Sequence, residues 1–444
     1  MNDILSPHSD KENTPAINFI VLLVISQLLY CSLYIPVLAP IQRFVAISIL
    51  NSVIYLGVCI IIYRNRMLFT DSSVWLIILI GIIMRTSVLF LEPTASDDIY
   101  RYIWDGKVQS YGINPYLYVP SDEALRHLHS EMLPGLVNFP TMKTIYPPVA
   151  EWIFWITYKI FGESILGFKI PLLIAEIATL FLLRSLLRQL KLPAGWSALY
   201  AFCPLPIMQF MIDGHLDALG LPFVLLFILL WIRQKNLLAL ISIGIASAIK
   251  LVPLILIPFA FKELRGWKRL LTVVVPLGIL GIFYFPYTIG QAAPFEALSV
   301  FSSRWEFNGS IFHLLYPIVQ DNTPVHYICT ALFLLWVGFL YFRNLQFLDS
   351  LRLTVFGFFI FAPTVHPWYL TWLAVLLPLQ FRWSTIVFVA VVSLANIVII
   401  NYRLIGVWQE SGILLFIEYG ILAAVMIREY YHFKKERNYT QQIS

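Results

Sequence analysis

The sequence predicts an all-α protein that crosses a membrane many times, and two features of its 444 residues indicate this fold class. Hydrophobic residues make up 59% of the chain and charged residues only 12%, whereas soluble domains are roughly 45–50% apolar and about 25% charged. The apolar residues also fall in runs of about 15–23, the length of a helix that spans the hydrocarbon core. This composition excludes a disordered chain, a nucleic-acid-binding domain and an ordinary cytosolic enzyme.

Apolar runs of this kind occur along most of the chain. The predicted spans lie at 18–37, 42–63, 74–91, 165–187, 195–212, 217–232, 270–288, 325–342, 351–365, 369–381, 384–401 and 412–428. Two further apolar segments, 236–249 and 251–261, are too short to cross alone, and we expect them to form a re-entrant pair. The prediction is therefore about 12–14 membrane helices. They form one domain at 18–428, flanked by polar tails at 1–17 and 429–444.

Basic residues predict the orientation, because Lys and Arg concentrate in cytoplasmic loops. Arg184, Lys262 and Lys434 are among many that fall on one side, which we interpret as cytoplasmic together with both tails. The opposite side carries two long loops, at 92–148 and about 290–324. We expect no cleaved signal peptide, since the first apolar run lacks a small-residue cleavage site. The pattern fits a bacterial inner membrane with the functional site on its periplasmic face.

The cysteines are few and lie in apolar runs without Cys-x-x-Cys spacing. They are Cys31, Cys59, Cys203 and Cys329. We predict core thiols rather than disulfides or metal ligands.

Two adjacent acids, Asp97 and Asp98, follow the third predicted span directly. Two interpretations stay open. The carboxylates could cap a helix that begins at Ile99. Alternatively, one of them could act as the general base for a sugar hydroxyl, with its pKa raised by the like charge of its neighbour.

Two aromatic helices are predicted within the first long loop. The apolar face of the first helix is formed by Tyr100, Ile103, Trp104, Val108 and Tyr111. We expect this face to lie along the membrane. Gly112 is predicted to end the helix, and Asn114-Pro115 to form the following turn. A second interfacial helix is predicted over 152–161, opened by Pro147-Pro148, and the two helices would flank a cleft.

Several motifs of the chain recur in one known group of enzymes. They are Asp97-Asp98 with Tyr100-Arg101-Tyr102 and Trp104-Asp105-Gly106; Gly112-Ile113-Asn114-Pro115-Tyr116; Tyr146-Pro147-Pro148; Gly214-His215 with Asp217; Lys250-Leu251-Val252-Pro253; Trp305-Glu306-Phe307-Asn308-Gly309-Ser310; and His366-Pro367-Trp368-Tyr369. Over about residues 74–370 the chain thus resembles the GT-C membrane glycosyltransferases, most of all the bacterial polyprenyl-phosphate-mannose-dependent α-mannosyltransferases. The motif of the first loop is the most specific of the set.

The resemblance implies GT-C architecture and a sugar transfer on the external face. A hexose, mannose above all, would pass with inversion from a polyprenyl-phosphate donor to a hydroxyl of a glycolipid or glycan acceptor. Asp97 would be the general base and Asp98 its support. The expected partners are this donor, this acceptor and the bilayer, with no nucleic acid. Two alternatives stay open: another lipid-linked sugar, glucose or arabinose, and a polytopic lipid or sugar transporter.

Inverting transfer also needs positive groups near the departing phosphate. The candidates for contacting the donor phosphate are Arg101, Lys250, Arg304 and His366. Each has a structural alternative, such as an Asp97–Arg101 ion pair one helical turn apart. Side-chain cations can stabilise a phosphate monoester, and no His-Glu-x-x-His or EF-hand motif is present. We therefore expect no obligatory metal or other cofactor.

The remaining candidates are predicted to contact substrate. They are Tyr100, Trp104, Asp105, Tyr146, Asp213, His215, Asp217, Asn308, Trp368 and Tyr369. The turn at 213–217 has two further interpretations, a solvated turn or a metal site. Inside the predicted spans, Glu176 with Lys169, and Arg85, are expected to form structural pairs, because an unpaired charge in the bilayer is costly.

Overall fold

A computed structural model describes residues 9–65, 69–289 and 292–443, with side chains described for 14–65, 69–289, 292–432 and 434. Within these ranges the chain is built from α-helices and short 3-10 helices. The strand-like pairing described is limited to isolated bridges from Phe307 and Asn308 to Thr364. The predicted all-α fold class is therefore confirmed.

The described part of the chain forms helices α1 to α20. They are α1 (Ser9–Ser32), α2 (Pro40–Arg64), α3 (Ser73–Ser87), α4 (Asp98–Ser110), α5 (Pro148–Phe161), α6 (Ile165–Gln189), α7 (Ala198–Ala201), α8 (Pro204–Met211), α9 (Asp217–Ile232), α10 (Asn236–Ile249), α11 (Ile257–Glu263), α12 (Lys268–Tyr284), α13 (Glu296–Arg304), α14 (Ser310–Val319), α15 (Asn322–Phe342), α16 (Phe347–Phe361), α17 (Thr371–Ala374), α18 (Trp383–Val391), α19 (Ile397–Ile405) and α20 (Gly412–Ile443). The 3-10 helices are Glu123–Leu128, Ala194–Ser197, Val252–Leu256, Phe285–Thr288, Pro367–Leu370, Leu377–Leu379 and Val392–Asn396.

Six helical segments of the described ranges are long and apolar enough to cross a membrane. They are Thr14–Ser32, Pro40–Arg64, Ile165–Gln189, Lys268–Thr288, Asn322–Phe342 and Trp383–Ile405. Shorter apolar helices are Ser73–Ser87, Asp217–Ile232, Asn236–Ile249, Ser310–Val319 and Pro367–Leu379. The chain is thus a multi-pass membrane protein, and several of the about 12–14 predicted helices are shorter than a straight crossing requires.

Proline explains where predicted spans break into short pieces. The predicted span at 195–212 consists of a 3-10 turn, α7 and α8. Cys203 is extended, with φ −64° and ψ 125°, directly before Pro204. A residue that precedes proline disfavours the helical conformation, and proline itself cannot donate to the helix. The span predicted at 369–381 also consists of short helical pieces, with Pro367 and Pro378 in the first turns of its 3-10 segments.

The two half-length helices predicted at 236–249 and 251–261 are found as α10 and α11. Between them Lys250 is extended, with φ −151° and ψ 135°. Helix α10 packs against α9 and α12. The break therefore places a charged side chain at the carboxyl end of a buried half-helix.

The apolar face of α4 was expected to lie along the membrane, and this is wrong. Ile103, Trp104 and Val108 are buried within the protein, where α4 packs against α5 and α6. A Cβ atom added to Gly106 would lie 2.4 Å from the carbonyl oxygen of Phe154, so glycine permits the close crossing of α4 and α5. Tyr111 is the exception on this face, being 61% exposed.

A buried charge network joins α3, α6 and α7. Arg85 Nε donates to Glu176 Oε2 at 2.8 Å, and Tyr200 Oη donates to Glu176 Oε1 at 2.6 Å. Arg85 is paired, as expected, but the expected pairing of Glu176 with Lys169 is wrong, because Glu176 pairs with Arg85. Lys169 Nζ instead donates to the carbonyl oxygen of Leu91 at 2.6 Å.

All four cysteines are free. Cys59, Cys203 and Cys329 are buried, as predicted, whereas Cys31 is exposed on α1.

We predict that Glu176→Gln strongly destabilises the fold, because it leaves the guanidinium of Arg85 buried without a counter-charge. Removing one partner of a buried pair costs about 3–5 kcal/mol. The measurement is thermal unfolding of the purified protein in detergent. Glu123→Gln is the control, because the Arg126–Glu123 pair is exposed, at 75% and 79% of the two side chains, and exposed pairs contribute little. Equal unfolding temperatures for the two variants would contradict the structural role.

Candidate active site

A cavity of about 1210 Å³ gathers segments that are distant in the sequence. Its wall comes from the first loop, the Lys250 break, α13, α15, α16, the turn before Trp368, and α19. The predicted site residues on this wall are Asp97, Asp98, Arg101, Tyr146, Asp217, Lys250, His366, Trp368 and Tyr369. Both acids of the first loop and most of the predicted phosphate ligands therefore face one space.

Asp97 occupies the N-cap position of α4, but its side chain makes no capping hydrogen bond. Arg403 Nη2 instead donates to Asp97 Oδ1 at 2.6 Å, across 306 residues of sequence. Both side chains are partly exposed, Asp97 at 30% and Arg403 at 28%. The capping interpretation therefore does not describe this carboxylate, which lies at the cavity in an accessible ion pair.

Asp98 is held by two neighbours. Asn138 Nδ2 donates to Asp98 Oδ1 at 2.6 Å, and His215 Nδ1 lies 3.4 Å from Asp98 Oδ2. Burial opposes ionisation, but the neighbouring His215, followed by the amide of Asn138, outweighs it and lowers the pKa of Asp98. The Oδ1 atom of Asp98 is thus hydrogen-bonded, and Oδ2 lies beside the His215 ring.

The turn at 213–217 was given two structural alternatives, and the solvated one is wrong because the whole turn is buried. Asp213 Oδ1 accepts the backbone N–H groups of Thr94 and Ala95, both at 2.8 Å. This bond fixes the chain just before the two acids. Asp217 Oδ1 accepts from Lys250 Nζ at 2.6 Å and from Trp372 Nε1 at 2.5 Å. Within the described residues, no group of three His, Cys, Asp or Glu side chains is arranged to hold a metal ion.

Four rings form a column beside the acids, which we call the ring column: His215, Trp368, His366 and Phe307. Their successive centroid distances are 3.8, 4.2 and 4.6 Å, and their planes are inclined by 13°, 8° and 27°. Burial lowers the pKa of His366 to about 3, so this ring is neutral near pH 7. Without a bound ligand, His366 therefore presents a neutral imidazole to the cavity.

Arg101 and Lys250 face the cavity from positions fixed by buried acids. Arg101 Nε lies 2.9 Å from each carboxylate oxygen of Asp105. The alternative Asp97–Arg101 pair is therefore wrong. Arg101 Nη2 is buried and has no hydrogen-bond partner among the described residues. Lys250, besides its bond to Asp217, lies over the ring of Tyr369 at 4.1 Å from the centroid.

A second carboxyl lies behind the Arg101–Asp105 pair. Glu151 is fully buried, with Oε1 accepting from Thr144 Oγ1 at 2.7 Å and Oε2 from Gln109 Nε2 at 2.8 Å. Burial, and next the negative charge of Asp105, raise the pKa of Glu151 well above its usual value. Burial raises the pKa of Asp105 as well, but Asp105 contacts Arg101 directly, so it positions that cation instead of lining the cavity.

The first-loop segment 135–143 forms another part of the wall. It supplies the Asn138 amide to Asp98, and its Met142 carbonyl oxygen accepts from Arg101 Nη1 at 2.9 Å. The segment is tied to α13 by Lys143 Nζ, which lies 2.8 Å from Glu296 Oε2. One irregular segment thus positions both an acid and a cation.

Several predicted site residues do not line the cavity. Arg304 is exposed at the end of α13, so its predicted contact with the donor phosphate has no support in the structure. Trp104 is buried in the core, and Tyr100 lies outside the cavity wall. Asn308 anchors its loop to the C-terminal region, through its backbone N–H to Glu410 Oε2 and its amide to Glu418 Oε1. Asp105, Asp213 and His215 do not line the cavity, but they contact residues that do, as described above.

Three residues that contact the acids of the site were not predicted from the sequence: Arg403, Asn138 and Trp372. Arg403 carried a usable signal, because it follows the predicted span 384–401 on the external side, where basic residues are few. Asn138 lies in an irregular loop and Trp372 in an apolar run, and neither has a local pattern that marks it.

We predict that the Glu151 carboxyl makes the folded protein less stable against unfolding as the pH rises. A carboxyl whose pKa is higher in the folded state than in the unfolded state binds more protons when folded. Stability is therefore lost as pH rises from about 4.3 towards the raised pKa, at up to about 1.4 kcal/mol per pH unit. Glu151→Gln should flatten this slope in thermal unfolding at several pH values, because the amide stays neutral. Glu123→Gln, which changes an exposed carboxyl, should keep the slope, and a slope kept by Glu151→Gln would contradict the assignment.

The family model described as "Alpha-(1->6)-mannopyranosyltransferase, N-terminal domain" matches residues 33–264. No curated protein matches the chain. Among solved structures, the chain is similar to ArnT from Cupriavidus metallidurans bound to undecaprenyl phosphate. That pair shares 12% sequence identity with a TM-score of 0.47, and the match covers 81% of this chain and 70% of ArnT.

The family match includes Asp97, Asp98, Arg101 and Lys250, whereas Arg403 lies beyond it. Since the match spans more than half of the 444 residues, the predicted mannosyltransferase class is confirmed, and the chain belongs to the α-(1→6)-mannopyranosyltransferase (MptA_B) family.

Proposed function

We propose that this protein transfers mannose from a polyprenyl-phosphate donor to a hydroxyl of a glycolipid or glycan acceptor, with inversion, at the periplasmic face of the inner membrane. The observation that carries the proposal is that Asp97 lies on the wall of one large cavity together with Arg101, Lys250 and Arg403. A base and several cations around one space are what an inverting transfer from a phosphate requires. Family membership supports the sugar and the reaction class.

Asp97 fits the role of general base better than Asp98. The described hydrogen bonds of Asp97 engage Oδ1 only, whereas each oxygen of Asp98 faces a neighbour. In the reaction the acceptor oxygen forms a bond to C1 of the sugar while the bond from C1 to the phosphate oxygen breaks. The electron pair of that bond leaves with the phosphate, and the hydroxyl proton passes to Asp97. Asp98 supports the base as a fixed neighbouring carboxylate.

Arg101 and Lys250 fit the leaving phosphate. The partnerless Nη2 of Arg101 lies on a residue that faces the cavity. Lys250 uses one of its three N–H donors for Asp217, and Trp372 shares that carboxylate, so further donors remain for a ligand. Charge-assisted hydrogen bonds from such cations are short and strong. We propose that they balance the developing phosphate charge without an obligatory metal.

An apolar arm of the cavity supports a lipid-linked donor. It lies between α13, α15 and α16, and its lining is Leu298, Phe301, Cys329, Phe333, Phe358 and Phe361. The arm is continuous with the polar region around the acids. An isoprenoid tail would bury apolar surface there, at about 25 cal/mol per Å², while its phosphate meets the cations.

The alternatives from the sequence are weaker. The description of the family names mannopyranosyl transfer, which favours mannose over glucose or arabinose and an enzyme over a transporter.

We predict that Asp97→Asn lowers the transfer rate by about 10²–10⁴-fold, which is the usual contribution of a general base. Asp98→Asn should lower it less, because it supports the base and does not itself take the proton. The measurement is incorporation of labelled mannose from polyprenyl-phosphate mannose into lipid-linked and glycan products of membranes that contain each variant. Parallel assays with polyprenyl-phosphate glucose and arabinose test which sugar the protein transfers.

Glu123→Gln is the matched control, since this carboxyl is 79% exposed and remote from the cavity wall. Full transfer by both Asp97→Asn and Asp98→Asn would overturn the mechanism.

A further inference from the structure

Arg403 joins the cavity from the far end of the chain. It lies in the last turn of α19, which ends at Gly406 in the left-handed region, with φ 71°. Its guanidinium reaches Asp97 at the start of α4 with an Nη2–Oδ1 distance of 2.6 Å. The ion pair therefore bridges two walls of the cavity, and one partner is the proposed base.

This pair differs from the other cation–acid pairs of the cavity. Asp105 and Asp217, which hold Arg101 and Lys250, have side chains only 2% and 1% exposed. A third neighbour also fixes each of those pairs, the Met142 carbonyl oxygen or the Trp372 indole. In the Asp97–Arg403 pair both partners reach the cavity surface, and the described hydrogen bonds join them only to each other. An accessible ion pair is worth little net free energy, so a stronger anion can compete for the guanidinium.

We propose that Arg403 binds the phosphate of the lipid-linked donor, and that in the free enzyme Asp97 occupies it until the donor arrives. The inference rests on the proposed function and names a ligand residue of the same site. A phosphate offers more acceptor oxygens and more negative charge than a carboxylate, and guanidinium binds it in a two-point geometry. Arg403 thus exchanges one anion for another.

The exchange has a consequence for Asp97. While the ion pair persists, one carboxylate oxygen of Asp97 is occupied by the guanidinium of Arg403. Once Arg403 turns to the phosphate, both oxygens of Asp97 are free to accept the proton of the acceptor hydroxyl. Donor binding thereby activates the base, and the acceptor reacts only when the donor is in place.

Binding of a polyprenyl monophosphate to the full-length protein tests the exchange without requiring turnover. Undecaprenyl monophosphate in detergent micelles is titrated against the wild type, Arg403→Ala, Asp97→Asn and the double variant. We expect Arg403→Ala to weaken binding about tenfold. We expect Asp97→Asn to strengthen binding several-fold, because the competing carboxylate is gone. In the Arg403→Ala background the gain from Asp97→Asn should be much smaller.

A purely structural ion pair makes the opposite prediction, since breaking it from either side would weaken binding. Unchanged binding by Arg403→Ala, weaker binding by Asp97→Asn, or an equal gain in both backgrounds would each overturn the exchange. Arg126→Ala is the control, because this exposed arginine of the first loop pairs with Glu123 away from the cavity and should bind like the wild type. Thermal unfolding verifies that each variant is folded. If the wild type shows no mannose transfer while the binding changes appear as expected, the proposed function alone is contradicted.

Discussion

The cost of placing charges in an apolar helical bundle is the constraint on which this structure depends. An ionised side chain away from water is unfavourable unless opposite charge and hydrogen bonds surround it. The chain meets this requirement in two places, inside the helical bundle and at the wall of the cavity. Arg85 and Glu176 are sealed from solvent and join helices. Asp97 and Arg403 meet at the cavity, where the charges stay accessible.

Buried acids fix the orientation of two cations on the cavity wall. Asp105 holds Arg101, and Asp217 holds Lys250, with each carboxylate set back from solvent relative to its partner. The ring column extends the same principle to Asp98, because Trp368 packs flat on His215, which faces that carboxylate. Buried polar side chains, two of which (Asp105 and His215) do not line the cavity, thus orient side chains on its wall.

The sequence predicted the helical class, the acidic pair and two cations of the cavity wall, Arg101 and Lys250, because these depend on composition and short motifs. It could not choose between capping and chemistry at Asp97, since both interpretations use the same local residues. The choice depends on Arg403, 306 positions away, and no local pattern reports such a contact. The turn at 213–217 was misjudged for a related reason. Its polar residues suggest exposure, yet the turn is buried, where Asp213 accepts from backbone N–H groups and Asp217 accepts from Lys250.

Asn308 links the C-terminal part of the chain to the loop beside the cavity. Its backbone N–H and its amide are held by Glu410 and Glu418, and its carbonyl oxygen accepts from Tyr419 Oη at 2.6 Å. The adjacent Phe307 belongs to the ring column and to the cavity wall. The final helix therefore supports the wall of a cavity that its described residues do not line. Changes in the sequence of that helix would alter the shape of the cavity while leaving the residues on its wall unchanged.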